Sequence, residues 1–161
     1  QHEVAGSKIL ELGAGSGLIS LTQARRRAEV TATDIKEFAL EAMRQNAKVN
    51  QLNLHVIASD LFEQISPAAY DYIIINPPYY PKPATQVSEY AWYCGEDFDY
   101  FKRLFAQLAG GYQGVVYMIL SDDCALEHID TLARERGLSM QVVYTRRVLG
   151  EDNFIYQISV A

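Results

Sequence analysis

Cysteine is scarce in this chain. Cys94 and Cys124 lie far apart, form no CxxC pair and show no metal-ligand spacing, which argues against a disulfide framework and a zinc ribbon. They read as reduced thiols of a cytoplasmic protein. No run is long and apolar enough to span a bilayer, and no signal-peptide pattern opens the chain, so no membrane association is expected. The three histidines, His2, His55 and His128, do not cluster with other candidate ligands. A metal site and a Ser-His-Asp triad therefore have little support. No repeat, low-complexity tract or linker divides the 161 residues, which fit one domain, 1–161, around one core. Basic residues are nearly absent from 59–101. Asp60, Glu63, Asp71, Glu89, Glu96, Asp97 and Asp99 stand there against Lys82 alone, in a chain of net charge −6. Phosphate backbones bind basic surfaces, and this segment is the reverse.

What is present is an alternation of short apolar runs and helical patterns. Lys8-Ile9-Leu10-Glu11-Leu12 predicts a buried strand ended by a glycine turn. Residues 16–27 predict a helix with Leu18, Ile19 and Leu21 on one side, closed by Arg25-Arg26-Arg27, whose cations suit a helix C-terminus. A strand over 30–34 and a helix over 37–51 follow, the helix burying Leu40, Met43 and Ala47. Residues 54–58 predict a third strand, and Tyr72-Ile73-Ile74-Ile75 a strand covered on both faces. Phe98, Phe101, Leu104, Phe105 and Leu108 form a helical stripe, expected to be core. A strand over 114–120 leads to a helix capped by Ser121 or Asp122, facing inward with Leu126, Ile129 and Leu132 and ending at Gly137. Residues 139–147 and 154–160 flank Gly150-Glu151-Asp152-Asn153 as a hairpin. The pattern predicts an α/β fold, Rossmann-like and doubly wound: a mostly parallel seven-stranded sheet with an antiparallel C-terminal hairpin at one edge. Ligands of such sheets bind at the carboxyl ends of the strands.

The suggestive residues fall at those ends. The first strand runs into Glu11-Leu12-Gly13-Ala14-Gly15-Ser16-Gly17, where glycines let the backbone turn sharply and approach a ligand closely. The dinucleotide fingerprint requires glycine at position 18, and Leu18 stands there, against a nicotinamide oxidoreductase. Asp34, 21 residues after Gly13, can accept hydrogen bonds from both hydroxyls of a ribose, or cap the helix that follows it. Asp60 and Leu61 end the third strand. Asn76-Pro77-Pro78-Tyr79 follows the fourth strand directly. Two prolines stiffen that turn and remove two N–H donors, leaving carbonyls free. The Asn76 amide oxygen and the Pro77 carbonyl can both accept from one NH₂ group, and Tyr79 can stack on a flat one. A planar amide or amino nitrogen, its lone pair delocalised, gains from such orientation and needs no strong base. The alternative for the tetrapeptide is an ordinary Asn-Pro turn.

The acid-x-Gly-x-Gly-x-Gly turn resembles motif I of the class I methyltransferases dependent on S-adenosylmethionine (SAM). Val30-Thr31-Ala32-Thr33-Asp34-Ile35 with Ala39-Leu40 and Asn46-Ala47 resembles their motif II, and Asn76-Pro77-Pro78-Tyr79 their catalytic turn. The resemblance implies SAM as cofactor. It places Gly13, Gly15 and Gly17 against the methionine and ribose parts, Glu11 near the sulfonium and ammonium charges, Asp34 and Ile35 at the ribose, and Asp60 and Leu61 at the adenine, and it counts Asn76 among the cofactor residues as well as the catalytic ones. Branches with this tetrapeptide methylate adenine, cytosine or guanine in DNA or RNA, or the glutamine amide in the Gly-Gly-Gln loop of translation release factors. Glu89, Ala91, Trp92 and Gly95 are similar to the last, HemK/PrmC-type branch, while Tyr90 stands where its bacterial members have proline and Cys94 where a second glycine is usual. Trp92 can also be read as core packing. The acidic surround favours a protein partner, a release factor, over RNA or DNA. HemK-type enzymes usually carry an N-terminal recognition domain, and the wider superfamily a helix before the first strand. A SAM-binding module without turnover is opposed by the intact tetrapeptide.

Overall fold

The computed structural model describes residues 4–161. His2 lies outside them. The elements in chain order are β1 (Lys8–Leu12), α1 (Leu18–Arg25), β2 (Glu29–Asp34), α2 (Glu37–Val49), β3 (His55–Ala58), a 3₁₀ turn (Pro67–Ala69) and β4 (Tyr72–Ile75). A second 3₁₀ turn (Val87–Ala91), α3 (Asp99–Ala109), β5 (Val115–Ser121), α4 (Leu126–Arg134), β6 (Leu138–Val148) and β7 (Glu151–Val160) complete the chain. The strands form a seven-stranded sheet in the order β3-β2-β1-β4-β5-β7-β6, with the antiparallel hairpin at its edge as the sequence predicts. The chain divides into two compact units, one running to Ile75 with Tyr112–Gly114, the other holding the rest.

In the first unit β1 pairs in parallel with β2 and β4, and β2 with β3. Leu40, Met43 and Ala47 are buried along α2 as their spacing predicts. Met43 and Leu40 pack with Ala14 and Ala32, and Ile9, Ala28 and Val30 form a neighbouring cluster. Three expectations need correcting. Helix α1 begins at Leu18, not position 16, because Gly17 is left-handed at φ 72°, and it closes at Arg25. Its buried side chain is Ser20, while Leu18 is 71% exposed. The reason is electrostatic: the buried Glu11 carboxylate needs a donor, and Ser20 supplies two. In β4, Ile73 and Ile75 are fully buried, but Tyr72 and Ile74 are half-buried against the Ile9 cluster, so only one face is closed completely.

Gly114 enters β5 through a crowded point of this unit. A Cβ there would overlap the carbonyl oxygens of Asp71 and Tyr70, backbone atoms with no room to yield. Gly114→Ala is expected to cost about 3 kcal/mol, as overpacking against rigid neighbours does. A thermal midpoint within 1 °C of the wild type, by calorimetry, would contradict that expectation.

In the second unit β7 pairs antiparallel with both β5 and β6. Along β5, Val116, Met118 and Leu120 alternate into the core with Phe101, Leu104, Phe105 and Leu108 of α3 and Ile129 and Leu132 of α4. The aromatic stripe is core as predicted, except that Phe98 precedes the helix in a left-handed conformation, half-buried, its ring 4.5 Å from that of His128. Neither Ser121 nor Asp122 caps α4. Ser121 is the last residue of β5, and Asp122 exchanges backbone and side-chain hydrogen bonds with Asp152. The hairpin turn is Leu149-Gly150, both left-handed at φ 53° and 96°, rather than 150–153. A two-residue turn with both central residues left-handed matches the twist of the flanking strands.

Candidate active site

The glycine turn is built on left-handed backbone. Gly13, Gly15 and Gly17 have φ of 63°, 54° and 72°, a conformation that costs other L-residues roughly 1–2 kcal/mol each. A Cβ at Gly13 or Gly15 would meet no protein atom within 4 Å, so both glycines border open space. At Gly17 a Cβ would come within 2.7 Å of the Met43 Cγ, so that glycine also serves packing. The turn is tied down by Ala14 N–H to the Thr33 carbonyl (2.8 Å) and Gly15 N–H to the Asp34 Oδ2 (2.9 Å). The second Asp34 oxygen accepts from Lys36 N–H at 2.9 Å. One carboxylate thus fastens the glycine turn to the end of β2. The capping reading of Asp34 does not hold, because Lys36 heads α2 with no side-chain cap and Asp34 bonds, at that helix start, only the N–H of Lys36 itself; each oxygen keeps a further lone pair for a ligand hydroxyl. Ile35 beside it is exposed, presenting an apolar side chain next to that carboxylate.

At the end of β3, Ser59 is buried. Its N–H reaches the Asp34 carbonyl (3.2 Å) and its hydroxyl donates to the Leu61 carbonyl (2.8 Å). Leu61 is buried and left-handed at φ 49°, and Asp60 is half-buried. Sequence reasoning missed Ser20 and Ser59. Both are small polar residues whose role appears only once their distant partners are in place.

Glu11, at the end of β1, is buried, and its carboxylate accepts the Ser20 N–H (2.8 Å) and hydroxyl. Burial raises its pKa above the ordinary 4.5; the Ser20 bonds oppose the shift and the nearby Asp34 charge adds to it. A raised acid binds its proton more tightly in the folded chain than in the unfolded one. Its contribution to stability is therefore complete below 4.5 and is lost as pH rises through the folded value. Glu11→Gln keeps an oxygen for Ser20 and removes the charge. Its thermal midpoint is expected to exceed the wild type's at pH 7.5, by an increment that vanishes at pH 4. An equal increment at both pH values would show that Glu11 is not the titrating group.

The second unit holds the turn 76–79. Asn76 is exposed, Pro77 buried, and Pro78 and Tyr79 half-buried, so the turn is anchored through its first proline and offers the Asn76 side chain to solvent. Burial pushes the Tyr79 phenol above its ordinary value, with Tyr80 and Cys124 adding and a hydrogen bond with Ser121 opposing. The phenol therefore stays neutral at physiological pH. Its ring lies 4.8 Å from that of Tyr80. Trp92 is 60% exposed, which excludes core packing. Cys94 and Cys124 are free, buried thiols, that of Cys94 pushed up to about 11 by burial. Among the described residues no group of three or more His, Cys, Asp or Glu is placed to hold a metal, and no helix is long and apolar enough to cross a membrane.

The sequence pattern of the methyltransferase small domain matches residues 1–91, more than half of the chain. The chain belongs to that family. Among its relatives, a release factor glutamine methyltransferase of Lactococcus lactis is 44% identical over 81 residues, 49% of this chain and 30% of that protein. A ribosomal RNA small subunit methyltransferase C of Haemophilus influenzae is 43% identical over 75 residues, 45% of this chain and 22% of that protein. The matched region thus spans less than a third of either relative. A crystal structure of a methyltransferase from Pyrococcus furiosus shares the fold, with a TM-score of 0.73 at 21% identity over 98% of this chain and 77% of that one. Membership makes this a methyltransferase domain, with SAM as methyl donor. The residues fit that cofactor: open space beside two glycines, an anchored carboxylate with spare lone pairs, an exposed apolar neighbour and a buried acid for a positively charged ligand.

Proposed function

We propose that the chain methylates a planar nitrogen, and that its acceptor is a glutamine side-chain amide in a protein, a translation release factor. The observation that carries the reading is the turn at the end of β4: Asn76 is exposed above a buried Pro77 and beside a half-buried, neutral Tyr79. Glu11, Gly13, Gly15, Gly17, Asp34, Ile35, Asp60 and Leu61 hold the cofactor in this reading. When bound, SAM supplies an electrophilic methyl group on a sulfonium sulfur. The Asn76 Oδ1 and the Pro77 carbonyl would accept the two N–H bonds of the acceptor, which fixes its plane and the direction of its lone pair. Tyr79 stacks on the amide and excludes water from one side. That methyl would pass to the nitrogen with the sulfur as leaving group, and the nitrogen would then shed its proton to solvent. Orientation and fixed dipoles supply the acceleration, with no group acting as a strong base.

The scarcity of bases over 59–101 and the release factor methyltransferase among the relatives favour protein over nucleic acid. The ribosomal RNA methyltransferase among them keeps an exocyclic amino group of RNA as the second reading. Transfer from labelled SAM, with release factor and RNA offered side by side, separates the two. Label on the release factor, lost when its loop glutamine is changed, is the expected result. Label on RNA alone would overturn the glutamine assignment.

A further inference from the structure

The catalytic turn continues into a segment that the methyl transfer does not use. Tyr80 donates its N–H to the Trp92 carbonyl (3.0 Å), and its own carbonyl accepts the Cys94 N–H (2.9 Å). Lys82 likewise accepts the Gly95 N–H at 3.1 Å. Residues 92–95 are thereby zipped onto 80–82, one residue beyond Tyr79. Between them the chain folds back through a 3₁₀ turn whose Glu89 carboxylate accepts from the Thr85 N–H, the Thr85 hydroxyl and the Gln86 N–H. Those bonds, Thr85's first, hold Glu89 below the usual carboxylate range, so it stays charged.

This fastened loop exposes its large aromatic residues. Trp92 is 60% exposed, Tyr90 49% and Tyr80 38%, although each could bury more than 150 Å² elsewhere, as is typical of aromatic side chains. Aromatic groups that are held rigidly and left in water are the usual anchors of recognition surfaces. The charge of the segment selects the partner. Over 76–101 the acids Glu89, Glu96, Asp97 and Asp99 face a single base, Lys82, which lies over the Tyr93 ring. Asp97 is paired with Lys102, leaving the remaining acids in excess. Single-stranded nucleic acid also stacks on aromatics, but it requires a basic groove beside them. A polypeptide carrying arginine or lysine satisfies both features, through stacking on the rings and attraction to the carboxylates.

We propose that residues 80–97 form a docking rim for a basic polypeptide segment, the flank of the acceptor loop. The proposal rests on the polypeptide reading of the active site, and it adds where that polypeptide is gripped and what charge it carries.

Trp92 is the only tryptophan in the chain, so its fluorescence reports the rim directly. The probes are a synthetic 12-residue peptide of glycine, serine and arginine around one glutamine, the same peptide with glutamate for arginine, and oligoadenylate. The basic peptide is expected to change Trp92 emission saturably, with an affinity that falls as salt rises. Tyr90→Ala should weaken that binding about fivefold, the scale of one aromatic contact, and Glu96→Gln should flatten its salt dependence. An equal response to the acidic peptide, a response to oligoadenylate alone, or no response to the basic peptide would overturn the rim. Replacing the peptide's glutamine by serine separates the two readings. Docking of that peptide, with no label transferred to either, would leave the rim standing and remove the glutamine acceptor. Label on glutamine without a change in Trp92 would do the opposite.

Discussion

Asn76→Ala is expected to bind SAM within about twofold of the wild type and to transfer methyl groups about 10²–10³ times more slowly, the usual cost of one preorganised electrostatic contact. The split follows from position. Asn76 is exposed at the carboxyl end of β4, and Pro77, buried behind it, holds the turn. Truncating the asparagine leaves both prolines and their φ angles in place, so the Pro77 carbonyl can still take one acceptor N–H. One bond of two is then lost, the amide is free to rotate, and its lone pair is no longer held in one direction. The loss should fall on the single-turnover rate, measured with SAM saturating. The acceptor KM should move much less, because the aromatic surface beyond Tyr79 is untouched. A variant that turned over at the wild-type rate would remove Asn76 from the chemistry. One that lost SAM binding in proportion to rate would make Asn76 a cofactor residue instead.

Much of the scaffold is legible in the sequence because its signals are local. The glycines at 13, 15 and 17 declare their positive φ, and the spacing of Leu40, Met43 and Ala47 declares the buried face of α2. What is hidden depends on partners far along the chain. Leu18, Ile19 and Leu21 suggest an apolar face for α1, yet Ser20 is the buried one, because Glu11 nine residues earlier needs its donors. Hydropathy cannot register a carboxylate buried by choice. Trp92 fits the HemK-type motif or, alternatively, core packing, and the two are separated only in the structure, where its carbonyl accepts the Tyr80 N–H and its side chain is exposed. Ser121 looks like a helix cap because a helix follows it, but the strand pairing with Asn153 claims it first. In each case a tertiary contact outbids a local preference.

Asp34→Ala should give the larger effect on the cofactor, and on two properties at once. Asp34 is buried, and its two oxygens already accept N–H bonds from Gly15 and Lys36, each at 2.9 Å. Alanine strips both donors of their partner, which costs about 1–3 kcal/mol per buried group left unsatisfied. The free protein should therefore melt earlier. The same change loosens Gly15, whose left-handed backbone borders the open space of the turn, and removes the acceptor proposed for the ribose hydroxyls. With both losses SAM affinity should fall at least about 100-fold, or roughly 2.7 kcal/mol. Asp34→Asn divides the contributions. Its amide oxygen can serve either Gly15 or Lys36 but not both, and its NH₂ cannot accept from a ribose. An asparagine variant that melts near the wild type yet binds SAM as poorly as the alanine variant would assign the affinity to the ribose contact. Parallel losses in both variants would mean that Asp34 acts by holding the glycine turn. Unchanged SAM affinity in the alanine variant, whatever its melting point, would take Asp34 out of the cofactor site.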